Sequence, residues 1–239
     1  MKCLKLFIIS YLILGLYSIF SYESLITIRK AKKEELIPGI LEKGYKACVI
    51  EMSNLPKNKL FYFSYANLDE SYTSSLIKSD ENGNLYWAES GVLIEKLVIT
   101  SYDLFPGEPI IYSIKSIDGS FSWSKKYIEN PLECVLPSNK KLSFELGDAR
   151  GFFYMVKLEN FIPNEVVRVI SNSENETIKS FFILNEEGDG YGSSMPGVIG
   201  KEGGIAVFQV ITSDNECLEC KLPWGNKLTH KKKKITLQN

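Results

Sequence analysis

Imidazole chemistry in this 239-residue chain depends on one histidine, His230, which precedes the four lysines Lys231 to Lys234. A Ser-His-Asp or Cys-His site needs an imidazole held by packing and oriented by a further hydrogen-bond acceptor. A lysine-rich tail supplies neither, and the same reasoning disfavours histidine-based metal sites. Carboxylate pairs remain as an acid-base option, but spacing distinguishes no pair among the 29 acidic residues. We therefore expect no catalytic residue, no metal and no cofactor.

Four cysteines are candidate disulfide partners, and they allow three pairings between which the sequence does not choose: Cys48, Cys134, Cys217 and Cys220. The last two form a C-x-x-C. A redox-active pair of this kind caps a helix, whereas residues 216–222 alternate like a strand. Residues three apart on a strand point to opposite faces. We expect Cys220 to face inward, Cys217 to face outward, and the pair to be structural.

A glycine-rich stretch from Gly188 to Gly204 contains seven glycines. A phosphate-binding loop would be followed by a helix whose N-terminus receives the anion, but a strand pattern follows from Ile205. We interpret the stretch as a long connecting loop. Since such loops often carry binding, Tyr191 and Met195 are its candidate contact side chains.

The N-terminus reads as a targeting segment. Two lysines precede an apolar run from Leu6 to Phe20, which is short for a membrane-spanning helix and typical of a secretory signal. We predict a signal peptide over residues 1–21, with an uncleaved membrane anchor at residues 6–20 as the alternative. Export to the periplasm or beyond would permit disulfides.

The two ends of the chain are positively charged, whereas the body between them is negatively charged. The first 21 residues contain two lysines and the last 14 contain five, with no acid in either, which leaves 21 basic and 29 acidic residues between them. A net charge of −8 over this body argues against nucleic acid as a partner. We predict a disordered basic tail over 226–239. Membrane contact would come only through that tail or an uncleaved N-terminal segment.

The body is predicted to be β-structure built from an internal repeat. Period-2 runs flank Asn82-Gly83 and Asp118-Gly119, which is the pattern of tight hairpins. The stretch from Gly44 to Gly83 is similar to that from Gly151 to Gly188. We predict two tandem domains, 24–131 and 132–225, with a boundary near Pro131-Leu132 and an insertion in the first copy around residues 84–105.

The size and pattern of each copy resemble the immunoglobulin-like modules of bacterial surface and periplasmic proteins. The resemblance covers most of the chain after residue 21. Because the Cys…Trp…Cys arrangement of antibody domains is missing, it implies only the broad architecture: an all-β fold of two tandem antiparallel β-sandwich domains.

We expect an exported, non-enzymatic binding or structural protein, whose partner is an unidentified protein or surface polymer. One alternative is a two-domain assembly chaperone of the pilus type. Such chaperones use an exposed edge strand and basic residues in the cleft between their domains. Arg29 and Arg150 are the basic residues to consider for that role, but no chaperone motif surrounds them, so they identify no site. The other alternative is a glycan-active enzyme with a carboxylate pair. A shared fold does not decide between these functions.

Overall fold

Alternating apolar and polar residues form strands through most of the protein. The computed structural model describes residues 25–36, 46–68, 71–101, 104–228 and 235–238. Within these ranges the strands are β1 Leu25–Lys30, β2 Lys46–Ser53, β3 Leu60–Ala66, β4 Ser71–Ser79, β5 Leu85–Trp87, β6 Leu97–Ser101, β7 Pro109–Ser116, β8 Ser122–Ile128, β9 Leu132–Val135, β10 Lys141–Leu146, β11 Tyr154–Glu159, β12 Val166–Ser173, β13 Glu176–Ile183, β14 Gly190–Ser194, β15 Gly203–Ile211, β16 Cys217–Gly225 and β17 Ile235–Gln238. The helical elements there are single 3-10 turns at Lys33–Glu35 and Asn226–Leu228.

The strands form four antiparallel sheets. Sheet A has the order β1-β2-β6-β17, sheet B β5-β4-β3-β7-β8, sheet C β14-β11-β10-β9 and sheet D β13-β12-β15-β16. The prediction of an all-β, antiparallel sandwich fold is confirmed. The immunoglobulin-like detail stays a prediction.

Two clusters of buried side chains lie between these sheets. The first cluster joins sheets A and B through residues such as Ile50, Phe61 and Tyr112. The second joins sheets C and D, with Phe144 and Trp224 among its largest members. The domain boundary at Pro131-Leu132 stays a prediction, because the second cluster also contains a residue from the earlier part of the chain, Phe105.

A segment between β6 and β7 connects the two clusters. Phe105 is 4% exposed and packs in the second cluster, although the flanking strands belong to the first. Two residues later, the Gly107 carbonyl accepts a hydrogen bond of 2.8 Å from the Leu146 N–H. A Cβ at Gly107 would lie 2.6 Å from the Phe144 carbonyl oxygen, so only glycine allows this approach.

The internal repeat appears in the turns as well as in the strands. The turn between β4 and β5 is held by Asp80, whose carboxylate accepts hydrogen bonds from the backbone N–H groups of Asn82 and Asn84. In the turn before β14, the side-chain oxygen of Asn185 accepts the corresponding two backbone bonds. These oxygens therefore close their own turns.

The predicted hairpins are confirmed. Gly83 and Gly119 both have positive φ, and antiparallel pairs β4–β5 and β7–β8 flank them.

One disulfide joins the edge strands of the second sandwich. It links Cys134 on β9 to Cys220 on β16, with a Cα–Cα distance of 6.0 Å. Cys220 faces inward and Cys217 outward, as the alternation indicates. The other two candidate disulfide cysteines are free thiols: Cys217 is exposed, and buried Cys48 donates from its Sγ to the Tyr112 hydroxyl at 3.3 Å. Burial raises the pKa of the Cys48 thiol to about 12.

The long-loop prediction for residues 188–204 is wrong at Gly190–Ser194, which forms strand β14 beside β11. The glycines of β14, Gly190 and Gly192, leave room for side chains that pack against the strand. A Cβ at Gly192 would lie 2.1 Å from the ring of Phe182, which covers it from β13.

The predicted disorder of residues 226–239 is also corrected in two places. Leu228 is buried against the second cluster, and Ile235–Gln238 pair through their backbone with β6. Their backbone hydrogen bonds extend the edge of sheet A.

The predicted leader, residues 1–21, and the alternative anchor, residues 6–20, lie outside the described ranges. Among the residues the structure describes, no helix has the length and apolar character needed to cross a membrane.

The disulfide yields a stability prediction. A C134S/C220S variant should lose about 2–4 kcal/mol of unfolding free energy, because an 86-residue separation is closed in the native chain. C217S is the matched control and should unfold like the wild type. Denaturant titration with and without a thiol reductant measures both. A wild-type midpoint unaffected by reductant would contradict the assignment.

Candidate binding surface

A groove crosses the outer face of sheet C, where side chains alternate between the core and solvent. Its volume is about 280 Å³. Apolar side chains at its walls and floor include Ile128, Pro131, Leu132, Met155 and Tyr191, and polar ones include Glu133, Lys141, Ser143, Glu145 and Lys157. We call this set the groove.

Strand register places the polar residues of the groove side by side. Ser143 on β10 lies opposite Glu133 on β9 and opposite Lys157 on β11. Lys157 in turn lies opposite Tyr191 on β14, with its Nζ 5.6 Å from the centre of the tyrosine ring. One row across four strands therefore carries a carboxylate, a hydroxyl, an ammonium and an aromatic ring.

Ion pairs connect the charges of the groove. Lys141 Nζ lies 3.0 Å from Glu133 Oε2 and 3.6 Å from Glu159 Oε2, and Lys157 Nζ lies 2.6 Å from Glu159 Oε1. We call these four residues the ion-pair ladder. The hydrogen bond from Lys157 lowers the pKa of the Glu159 carboxyl, and the pKa values of Lys141 and Lys157 are raised mainly by Glu133 and Glu159. Two cations and two carboxylates thus neutralise one another.

The two carboxylates of the groove, Glu133 and Glu145, each have a lysine partner. Glu133 is paired with Lys141, and Glu145 accepts a hydrogen bond of 2.6 Å from Lys126 on β8. Each carboxylate keeps acceptor positions that its lysine does not occupy, which a ligand could use.

Only one of the two candidate contact residues lies in the groove. Tyr191 is 66% exposed at the edge of sheet C, while Met195 is exposed beyond the end of β14 and is outside the groove lining. Sequence reasoning missed Met155, Lys157 and Glu133. Alternation along β9 and β11 places these residues on the outer face, but only strand pairing brings them to Tyr191.

A second exposed feature is the edge strand β13. Within the described residues it pairs with β12 alone, and Ile178, Phe181 and Ile183 are 59%, 65% and 77% exposed. Long apolar edge strands are rare on monomeric proteins because they pair with other strands.

The two arginines considered for a chaperone-like cleft, Arg29 and Arg150, make different contacts. Arg29 on β1 is paired with Glu35 and Glu51, each at 2.7 Å. The Arg150 guanidinium lies 4.9 Å above the ring of Phe152. Each therefore has a local role in its own sandwich.

No protein-family model and no curated protein matches the chain. Among solved structures, the chain is similar to one described as a tetra-tandem repeat in the extending region of a large adhesion protein, at 9% identity and a TM-score of 0.28. The match covers 84% of this chain and 49% of that chain, so this chain spans about half its length. A likeness this distant carries no argument about fold or function.

Proposed function

We propose that this chain is an exported, non-enzymatic binding protein of the periplasm or cell surface, and that its ligand lies in the groove. The observation that carries the proposal is that residues from both parts of the chain line the groove. Ile128 and Pro131 form one side, and Tyr191 lies on β14 of sheet C. The Lys126–Glu145 ion pair joins β8 to β10 beside it.

Two features support export. The N-terminal sequence has the charge and length of a secretory signal. The Cys134–Cys220 disulfide is of a kind that persists in oxidising compartments and is rare in the cytosol.

One experiment tests location and binding together. Cells producing the full chain, with any outer membrane permeabilised, are treated with a maleimide that does not cross the cytoplasmic membrane, and their envelopes are then isolated. Exposed Cys217 should be labelled before lysis, and the protein should sediment with the envelopes. Y191A should keep the label and lose most of the sedimentation, because the exposed ring is removed. Y62A, which removes an exposed tyrosine from sheet B, is the matched control; C217S should remove the label.

The two parts of this proposal fail separately. Labelling of Cys217 only after the cytoplasmic membrane is broken would contradict export. Sedimentation of Y191A equal to that of the wild type would contradict the groove as the binding site.

A second candidate function is assembly of partner proteins by strand addition, as in the pilus-chaperone class. The observation that favours it is the exposed apolar edge of β13. An incoming extended segment would gain backbone hydrogen bonds from this edge and apolar contacts from Phe181 and Ile183.

Strand-donation assays with synthetic peptides from candidate subunits test this function. F181K should weaken peptide binding by about tenfold or more, because a charge on an edge strand opposes pairing. I199K introduces the same charge at a residue that is 99% exposed in a turn, and it should bind like the wild type. Equal affinities of wild type and F181K, or no binding of any candidate strand, would overturn the assembly function.

A further inference from the structure

We propose that the ligand of the groove is a short segment of a neutral saccharide chain. This inference rests on the proposed binding function and adds its ligand class. It is carried by the apolar wall, the unused hydrogen-bonding capacity and the internally cancelled charge of the groove.

The apolar side chains suit the C–H faces of a pyranose ring. Tyr191 exposes two-thirds of its surface at one side, Met155 on the floor is 47% exposed, and Ile128 lies opposite. Sugar rings present one or two apolar faces that release water when they stack on an aromatic ring. A volume of about 280 Å³ lies at the small end of ligand sites, so a few sugar units would fill it.

The polar side chains keep capacity for sugar hydroxyls. An ammonium has three donors and a carboxylate has about four acceptor positions. Three members of the ion-pair ladder line the groove, Glu133, Lys141 and Lys157, and each uses only part of this capacity on its ladder partners. The Ser143 hydroxyl, between Glu133 and Lys157, donates as well as accepts. Donors and acceptors thus alternate across the floor, as a polyhydroxylated ligand requires.

Charge decides against ionic polymers. Both lysines of the ladder are paired with carboxylates, so a polyanion would have to displace Glu133 or Glu159 from them. The surrounding body has a net charge of −8 from 21 basic and 29 acidic residues, which repels a polyanion further. A neutral ligand needs no ion-pair rearrangement.

Position on the sheet decides against an extended peptide. The groove lies on the face of sheet C, where the backbone groups of β10 and β11 are already paired with neighbouring strands. A bound peptide would lose backbone hydration without backbone partners. The free edge of β13 would satisfy such a segment better.

Calorimetry with defined oligosaccharides tests the inference. The probes are neutral di- to tetrasaccharides of glucose, galactose, mannose and N-acetylglucosamine, with uronic-acid and sulfated oligosaccharides as the charged set. We expect at least one neutral probe to bind the purified protein, with an affinity that changes little between low and physiological salt. Y191A should weaken that binding about tenfold, whereas Y191F keeps the ring and Y62A leaves the groove intact, so both should bind like the wild type.

Three results would overturn the saccharide assignment: no neutral probe binds, only charged probes bind, or Y191A binds a neutral probe as well as Y62A does. If envelope sedimentation still depends on Tyr191 in that case, the binding function stands and only the ligand class fails. If sedimentation is independent of Tyr191 as well, both proposals fail.

Discussion

The burial of Phe105 in the second cluster links the two sandwiches. The Phe105 side chain belongs to a segment of the first sandwich and is buried by the second. Removing a buried phenylalanine from such a site costs about 3–5 kcal/mol, which is large beside the net stability of a domain. The hydrogen bond from Leu146 to Gly107 fixes β10 against the same segment.

This junction explains where the groove lies. Because β10 is held next to the end of β8, Lys126 reaches Glu145, and Ile128 and Pro131 form a wall beside sheet C. The Cys134–Cys220 disulfide holds β9, which contributes Leu132 and Glu133 to the same wall. Residues of both sandwiches therefore line the groove, and neither sandwich alone would form it. Binding sites between packed units are common for this reason.

Local patterns in the sequence predict local structure well here. Asn82-Gly83 and Asp118-Gly119 give the hairpins because tight turns need the positive φ that glycine permits. The inward direction of Cys220 follows from alternation alone. The disulfide pairing does not, because Cys134 and Cys220 are 86 positions apart and meet only after two sheets pack. The groove likewise depends on which strands become neighbours. Of its residues, the sequence alone therefore predicts only Tyr191 as a contact residue.

Glycine is the residue that misled the sequence interpretation. Gly190 and Gly192 suggest a flexible loop, but in β14 they admit Leu184 and Phe182 against the sheet. A glycine-rich composition is compatible with a mobile loop and with close packing. Here Phe182 on β13 and Leu184 just after it pack against the two glycines. Gly107 has the second role at the junction.

Hydrogen exchange of G107V is the most direct measurement of the junction. Valine would strain a backbone with φ of +78° and place a Cβ 2.6 Å from the Phe144 carbonyl oxygen. G119V imposes similar backbone strain at φ of +73°, with open space around its Cβ, and serves as the control. We expect G107V, unlike G119V, to speed amide exchange in β10 by about tenfold or more. Changes confined to sheets A and B in both variants would contradict it.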